Sequence, residues 1–147
     1  MEWVDALRGA VVALDTAPLI YFIEEHPDYL PRVQPFFEAL DRGEFEVVTS
    51  TVTVTEVLVH PLRHGDAELA ATYREVLLNA EHVRAVPVSA GIAEAAAALR
   101  AKHNLRTPDA IQAATALQEG ATHLLTNDAD LAVLAEPIAL ILDKLPR

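Results

Sequence analysis

Asp15, Glu56, Asp109 and Asp128 each lie beside an apolar run that reads as a strand or opens a helix, in VVALDTAPLI, TVTVTEVLVH, LRTPDAIQAA and HLLTNDADL. An α/β fold gathers functional side chains at such positions, because helices cover the sheet faces and leave the carboxyl edge open. Acids far apart in sequence but alike in local context can therefore meet in one pocket. Carboxylates gathered this way repel one another unless a cation neutralises them, which points to a site for a hard divalent ion.

Each acid also has a plainer explanation. Asp109 could complement a helix dipole, a contribution of roughly 0.3–1 kcal/mol. Glu56 could close a capping box with Thr53. Asp128 could cap a short helix, with Asp130 in its first turn. Asp15, directly after a buried strand, has no evident local role. Capping alone does not require every strand to lead to an acid.

Other chemistries find less support. His60 and His64 have an H-x-x-x-H spacing, but Pro61 is expected to break the helix between them, which disfavours zinc ligation across one helical turn. Tyr21, Phe22, Phe36 and Phe37 read as core or interface residues rather than base-stacking platforms. The five glycines form no phosphate-cradling loop, which disfavours a nucleotide cofactor.

The elements that must position the acids alternate between strand and helix. Gly9 to Leu14 reads as a buried strand. Thr16 as N-cap and Pro18 in the first turn lead into a helix. A second helix runs from Arg32 to Leu40 and ends near Gly43, and Phe45 to Thr49 is the second strand. The next helix is capped by Ser50 or Thr51 and expected to stop near Pro61. Asp66 to Asn79 has helical periodicity, with Leu69, Tyr73, Val76 and Leu77 on one face. Val83 to Val88 is a strand, and Ser89 caps an Ala-rich helix through Lys102. Thr107 as N-cap and Pro108 at N1 open a helix that closes at Gly120. A strand HLLT, a short helix from Asp128 to Leu134 and a strand from Ile138 to Leu142 finish the chain. This rhythm predicts an α/β fold with a parallel sheet covered on both faces.

At 147 residues with 52% hydrophobic content, the chain is expected to be a single folded domain over 1–147. No uncharged apolar stretch approaches the ~20 residues of a membrane span. Glu2 and Asp5 come early, and no cationic segment precedes an apolar run, so no secretory signal is expected. The absence of cysteine excludes disulfides and thiolate metal sites and fits a cytoplasmic protein. The formal charge of −11 runs against a general nucleic-acid-binding surface and suits a basic partner. One basic cluster, Arg100, Lys102, His103 and Arg106, precedes Asp109. Its plain reading is a solvated helix end.

The segments VVALDTAPLIYFIE, VVTSTVTVTEVLV and SAGIAEAAAALRAKHNLRTPDAIQAATALQEGATHLLTNDADL resemble, in order, the successive motifs of the PIN-domain nucleases, and most closely the VapC-like toxins of bacterial toxin–antitoxin pairs. The resemblance runs from about Val11 to Leu142. It implies an α/β/α sandwich with a central, mostly parallel sheet. It implies Mg²⁺- or Mn²⁺-dependent endoribonuclease activity on RNA, a homodimer, and inhibition by a small antitoxin, expected to carry a basic tail. Position by position, Asp15, Glu56, Asp109 and Asp128 match the family's four acids. Asp130 matches a further acid that varies among members, while Thr126 and Thr16 match hydroxyl residues beside the acids. The principal ion is expected on Asp15 and Asp109, completed by Asp128, with Glu56 orienting or deprotonating the attacking water. Leu131 stands where an aromatic is common. Residues 1–10 form an extension ahead of the first strand, either a packing helix or a partner-binding one.

Two alternatives belong to other classes. One is a PIN-fold binding module without turnover that acts through protein or RNA contacts. The other is phosphoryl transfer of haloacid-dehalogenase type, which expects an acid two residues after the first, where this chain has Ala17.

Overall fold

The computed structural model describes residues 2–146; Met1, at the head of the expected extension, and Arg147 lie outside it. Five strands form one parallel sheet: β1 (Val11–Leu14), β2 (Glu46–Ser50), β3 (Val83–Val86), β4 (His123–Thr126) and β5 (Ile138–Ile141), in the spatial order β3-β2-β1-β4-β5. The strands are short, and their burial alternates between the two faces. Val12, Leu14, Val47 and Leu125 enter one apolar cluster, while Ala13, Val48, Val86 and Leu124 enter another. This is the period-2 geometry of a sheet buried on both sides.

The first cluster is covered by α1 (Glu2–Asp5), α2 (Thr16–Ile23), α3 (Leu30–Asp41), α4 (Thr51–Arg63) and α5 (Ala67–Arg74). The second is covered by α6 (Ala90–Lys102) and α7 (Thr107–Gln118). The result is the expected three-layer α/β/α sandwich, with a sheet that is wholly parallel. Ala110, Ala113, Ala114 and Ala116 of α7 are buried against it, so small side chains bring this helix close to the strands. No helix among the described residues is long and apolar enough to cross a membrane.

Several expected details change. Pro61 does not stop α4, which continues to Arg63 with Pro61 buried inside it. The His60 and His64 rings consequently sit edge-on, 4.3 Å apart. The helix expected over Asp66 to Asn79 divides into α5, capped by the Asp66 carboxylate on the Leu69 amide, and a π-helical turn over Glu75–Asn79. Tyr73 of α5 and Leu77 of the π-helical turn are both buried in the core. Thr16 is the first residue of α2 rather than its cap, and the cap is Asp15. Thr107 is likewise inside α7, with Arg106 at the N-cap. The segment between Asp128 and Leu134 is a 3₁₀ helix (Ala129–Val133) that buries Leu131 completely. Gly43 follows α3 with φ of +73°, and a Cβ there would fall 2.9 Å from the His82 Nε2.

The extension ahead of β1 is a packing element. Val4 and Leu7 are buried and Trp3 stacks on Phe36 at 6.2 Å between ring centroids. Truncation of the buried Leu7 side chain (Leu7→Ala) is expected to cost about 2–5 kcal/mol by chemical denaturation. An unchanged unfolding free energy would show that the segment is an appendage.

Candidate active site

The strand order turns at β1, since the chain steps outward through β2 and β3 and then returns to β1's other side as β4. A crevice opens beyond the carboxyl ends of the strands at such a point. Here it is a cleft of about 430 Å³ lined by Asp15, Thr16, Tyr21, Glu56, Arg106, Asp109, Asn127 and Asp128, with Ala17, Ile20 and Ala129. All four acids matching the family pattern reach it. Asp15 follows β1, Glu56 lies one turn into α4, Asp109 opens α7, and Asp128 follows β4. Asp130 is exposed and does not line the cleft; its backbone amide donates to the Asp128 Oδ1 at 2.9 Å. A larger hollow of about 510 Å³, floored by Phe22, Phe37, Leu40 and Val76, lies at the amino end of β3, away from these acids.

Asp15 is held on both oxygens. The Thr16 amide donates to Oδ1 at 2.8 Å and the Thr126 hydroxyl to Oδ2 at 2.7 Å. The same Thr126 oxygen accepts from the Asp128 amide at 3.0 Å, which ties the β1 and β4 loops together. Asp128 caps its 3₁₀ helix as expected. The capping box expected of Glu56 does not form. Thr53 is fully buried, and Glu56 instead accepts from the Thr16 hydroxyl at 2.7 Å.

Behind Glu56 the hydroxyls form an ordered chain. Gln112 donates to the Thr53 oxygen at 2.5 Å, and Thr53 lies 3.0 Å from Thr16. Because the Thr16 proton is engaged by Glu56, Thr53 must be the donor to Thr16. Thr49 donates to the Leu14 carbonyl at 2.7 Å, and the Ser50 amide donates to the Gln112 Oε1 at 3.2 Å. From Gln112 through Thr53 and Thr16, the donors run in one direction, towards Glu56. Thr53 and Arg106, which the sequence offers only as a capping partner and a solvated helix end, belong to the site, and Gln112 is the site residue the sequence expectations do not contain. Gln112 was findable, being a polar residue amid alanines on a helix face that must be buried.

Burial dominates the electrostatics. It pushes the Asp15 carboxyl above its ordinary range, although the Thr126 and Thr16 hydrogen bonds pull the other way. Asp109, only 4% exposed, is pushed up to about 6, first by burial and then by the hydrogen bond and charge of Asp128, with Arg106 opposing. Arg106 spans the two acids, its Nε 3.2 Å from the Asp109 Oδ2 and its Nη2 3.4 Å from the Asp128 Oδ2. Among the described residues no three His, Cys, Asp or Glu side chains are drawn into a ready metal-binding cluster. The donor set nonetheless fits a divalent ion in kind. It consists of carboxylate oxygens, two of them on desolvated acids, and among the described residues that line the cleft one arginine is the only positive charge set against them.

The PIN domain family model matches residues 12–137. The chain belongs to the PIN domain family. Solved PIN-fold relatives share the architecture. A toxin–antitoxin complex from Klebsiella pneumoniae is 25% identical with a TM-score of 0.68, over 89% of this chain and 97% of that one. VapBC2 from Rickettsia felis, bound to a promoter DNA fragment, is 19% identical with a TM-score of 0.69, over 88% and 97%. Mycobacterium tuberculosis VapC20, described as a sarcin–ricin-loop-cleaving toxin, is 17% identical with a TM-score of 0.70, over 83% and 93%. No curated protein sequence matches the chain.

The raised pKa of Asp109 has a consequence for stability. A carboxyl that binds protons more tightly when folded makes the native state lose stability as pH rises between about 4 and 6, and the deficit persists above that. Asp109→Asn removes the charge, so its Tm should exceed that of the wild type at about pH 7.5, and the gain should shrink towards about pH 4. The ceiling on the gain is about 3 kcal/mol. An equal difference at both pH values, followed by calorimetry, would contradict the assignment.

Proposed function

We propose that this PIN-domain chain is a Mg²⁺- or Mn²⁺-dependent endoribonuclease and the toxin of a toxin–antitoxin pair. The observation that carries the reading is the convergence of Asp15, Glu56, Asp109 and Asp128, from four separate segments, on one cleft at the carboxyl edge of the sheet. Asp15, Asp109 and Asp128 would hold the cation. When bound, a divalent ion supplies Lewis acidity that activates water and offsets charge on the phosphate.

The chain's own residues do the remaining work. Thr126 and the Thr16 amide aim the Asp15 oxygens, and their hydrogen bonds favour its charged form. Glu56, oriented by the Thr16 hydroxyl, accepts the proton of a water attacking the scissile phosphodiester. The Thr53–Gln112 chain keeps Thr16 donating towards Glu56.

The proposal takes residues 1–147 as one cytoplasmic domain that pairs with a second copy. A small antitoxin with a basic tail fits the formal charge of −11. Relatives solved as toxin–antitoxin complexes support such a partner. A second reading, a PIN-fold binding module without turnover, draws on Arg106 bridging Asp109 and Asp128 where a cation would be expected.

The test is cleavage of a mixed tRNA and rRNA pool by antitoxin-free wild type and Asp15→Asn, with Mg²⁺, Mn²⁺ or EDTA. Discrete cuts that require both metal and Asp15 are expected. A loss of about 10³-fold or more in the variant is anticipated if Asp15 holds the ion. A folded wild type that cuts nothing in any condition would favour the binding module.

A further inference from the structure

Arg106 is the one basic side chain among the described residues that line the cleft. Its neighbour in the basic cluster, Arg100, is already engaged, donating to the Leu105 carbonyl at 2.9 Å. Arg106 sits at the N-cap of α7 but makes no side-chain capping bond, so the helix start does not need its guanidinium. Both ion pairs, at 3.2 and 3.4 Å, are longer than the ~2.7–2.9 Å of a strong charge-assisted hydrogen bond. The side chain is 75% exposed, whereas the Asp109 carboxylate it faces is 6% exposed. A loosely held, water-facing cation therefore spans two acids, one of them desolvated.

We propose that Arg106 is an exchangeable counter-cation. It balances Asp109 and Asp128 until a divalent ion binds, and then turns its guanidinium onto the RNA phosphate backbone at the mouth of the cleft. The inference rests on the nuclease reading above. Three physical points carry it. A divalent ion shared by Asp109 and Asp128 repels a guanidinium on the same oxygens. The guanidinium is 75% exposed and its contacts are long, so water readily takes over its side of the pair once a divalent ion replaces it on the carboxylates. The planar fork that matches a carboxylate matches a phosphate equally well. In a chain with a formal charge of −11, a tethered cation released at this point offsets local repulsion of a polyanion.

The experiment is calorimetric titration of EDTA-stripped wild type, Arg106→Gln and Arg106→Lys with Mn²⁺ alone, followed by cleavage kinetics at saturating Mn²⁺. Arg106→Gln should bind Mn²⁺ roughly three- to tenfold more tightly, because its competitor is gone. It should also raise KM for RNA, and Arg106→Lys should fall between the two. Unchanged or weaker Mn²⁺ binding by Arg106→Gln overturns the exchange, and leaves the nuclease reading intact if the wild type cuts RNA. Tighter Mn²⁺ binding with an unchanged KM overturns the phosphate contact. Tighter binding in a protein that cuts no RNA upholds the exchange and removes the nuclease reading instead.

Discussion

Four carboxylates brought to one edge of a buried parallel sheet repel one another, two of them (Asp15 and Asp109) lose their water as well, and much of the surrounding structure answers that constraint. Asp15 survives burial because the Thr126 hydroxyl and the Thr16 amide hold both of its oxygens. Glu56 is turned into the cleft by the Thr16 hydroxyl instead of serving its own helix. Asp109, which is also buried, has its carboxyl pKa pushed up to about 6, first by desolvation. An acid site preserved at this cost is more economically explained by chemistry than by capping, since a surface cap needs no desolvation.

The packing of α7 shows how apolar and polar demands share one helix. Its buried alanines let the backbone approach the sheet closely, yet Asp109, Gln112 and Thr115 are buried with them. Such a face is tolerable only if every polar atom finds a partner. Among the described residues no buried side-chain nitrogen or oxygen is left without one. Gln112 joins α7 to both β2 and α4, through the Ser50 amide and the Thr53 hydroxyl. The same contacts that satisfy the core therefore also orient the acid that faces the cleft.

Global and local charge point in different directions here. The formal charge of −11 is a property of the whole chain. Within the cleft, what matters is the single guanidinium at its mouth and the acids it spans. A net charge averages over a surface and says little about a crevice whose low-dielectric walls focus the field of the few groups inside it.

The local pattern of the chain carried the strands, most helix limits, the four acids and the family. The strands and helix limits follow from side-chain periodicity and cap chemistry, which act within a few residues, and the family from the resemblance of its successive motifs. The tertiary structure alone decided that Glu56 answers to Thr16 rather than Thr53, that Gln112 reaches Thr53 across 59 positions, and that Arg106 spans to Asp128 across 22. It also decided that Pro61 stays within α4, where the helix is held by its packing as well as its backbone bonds. The physical reason is the same in each case. Which loops meet at the carboxyl edge depends on the strand order β3-β2-β1-β4-β5 and its register, and no segment encodes that order by itself.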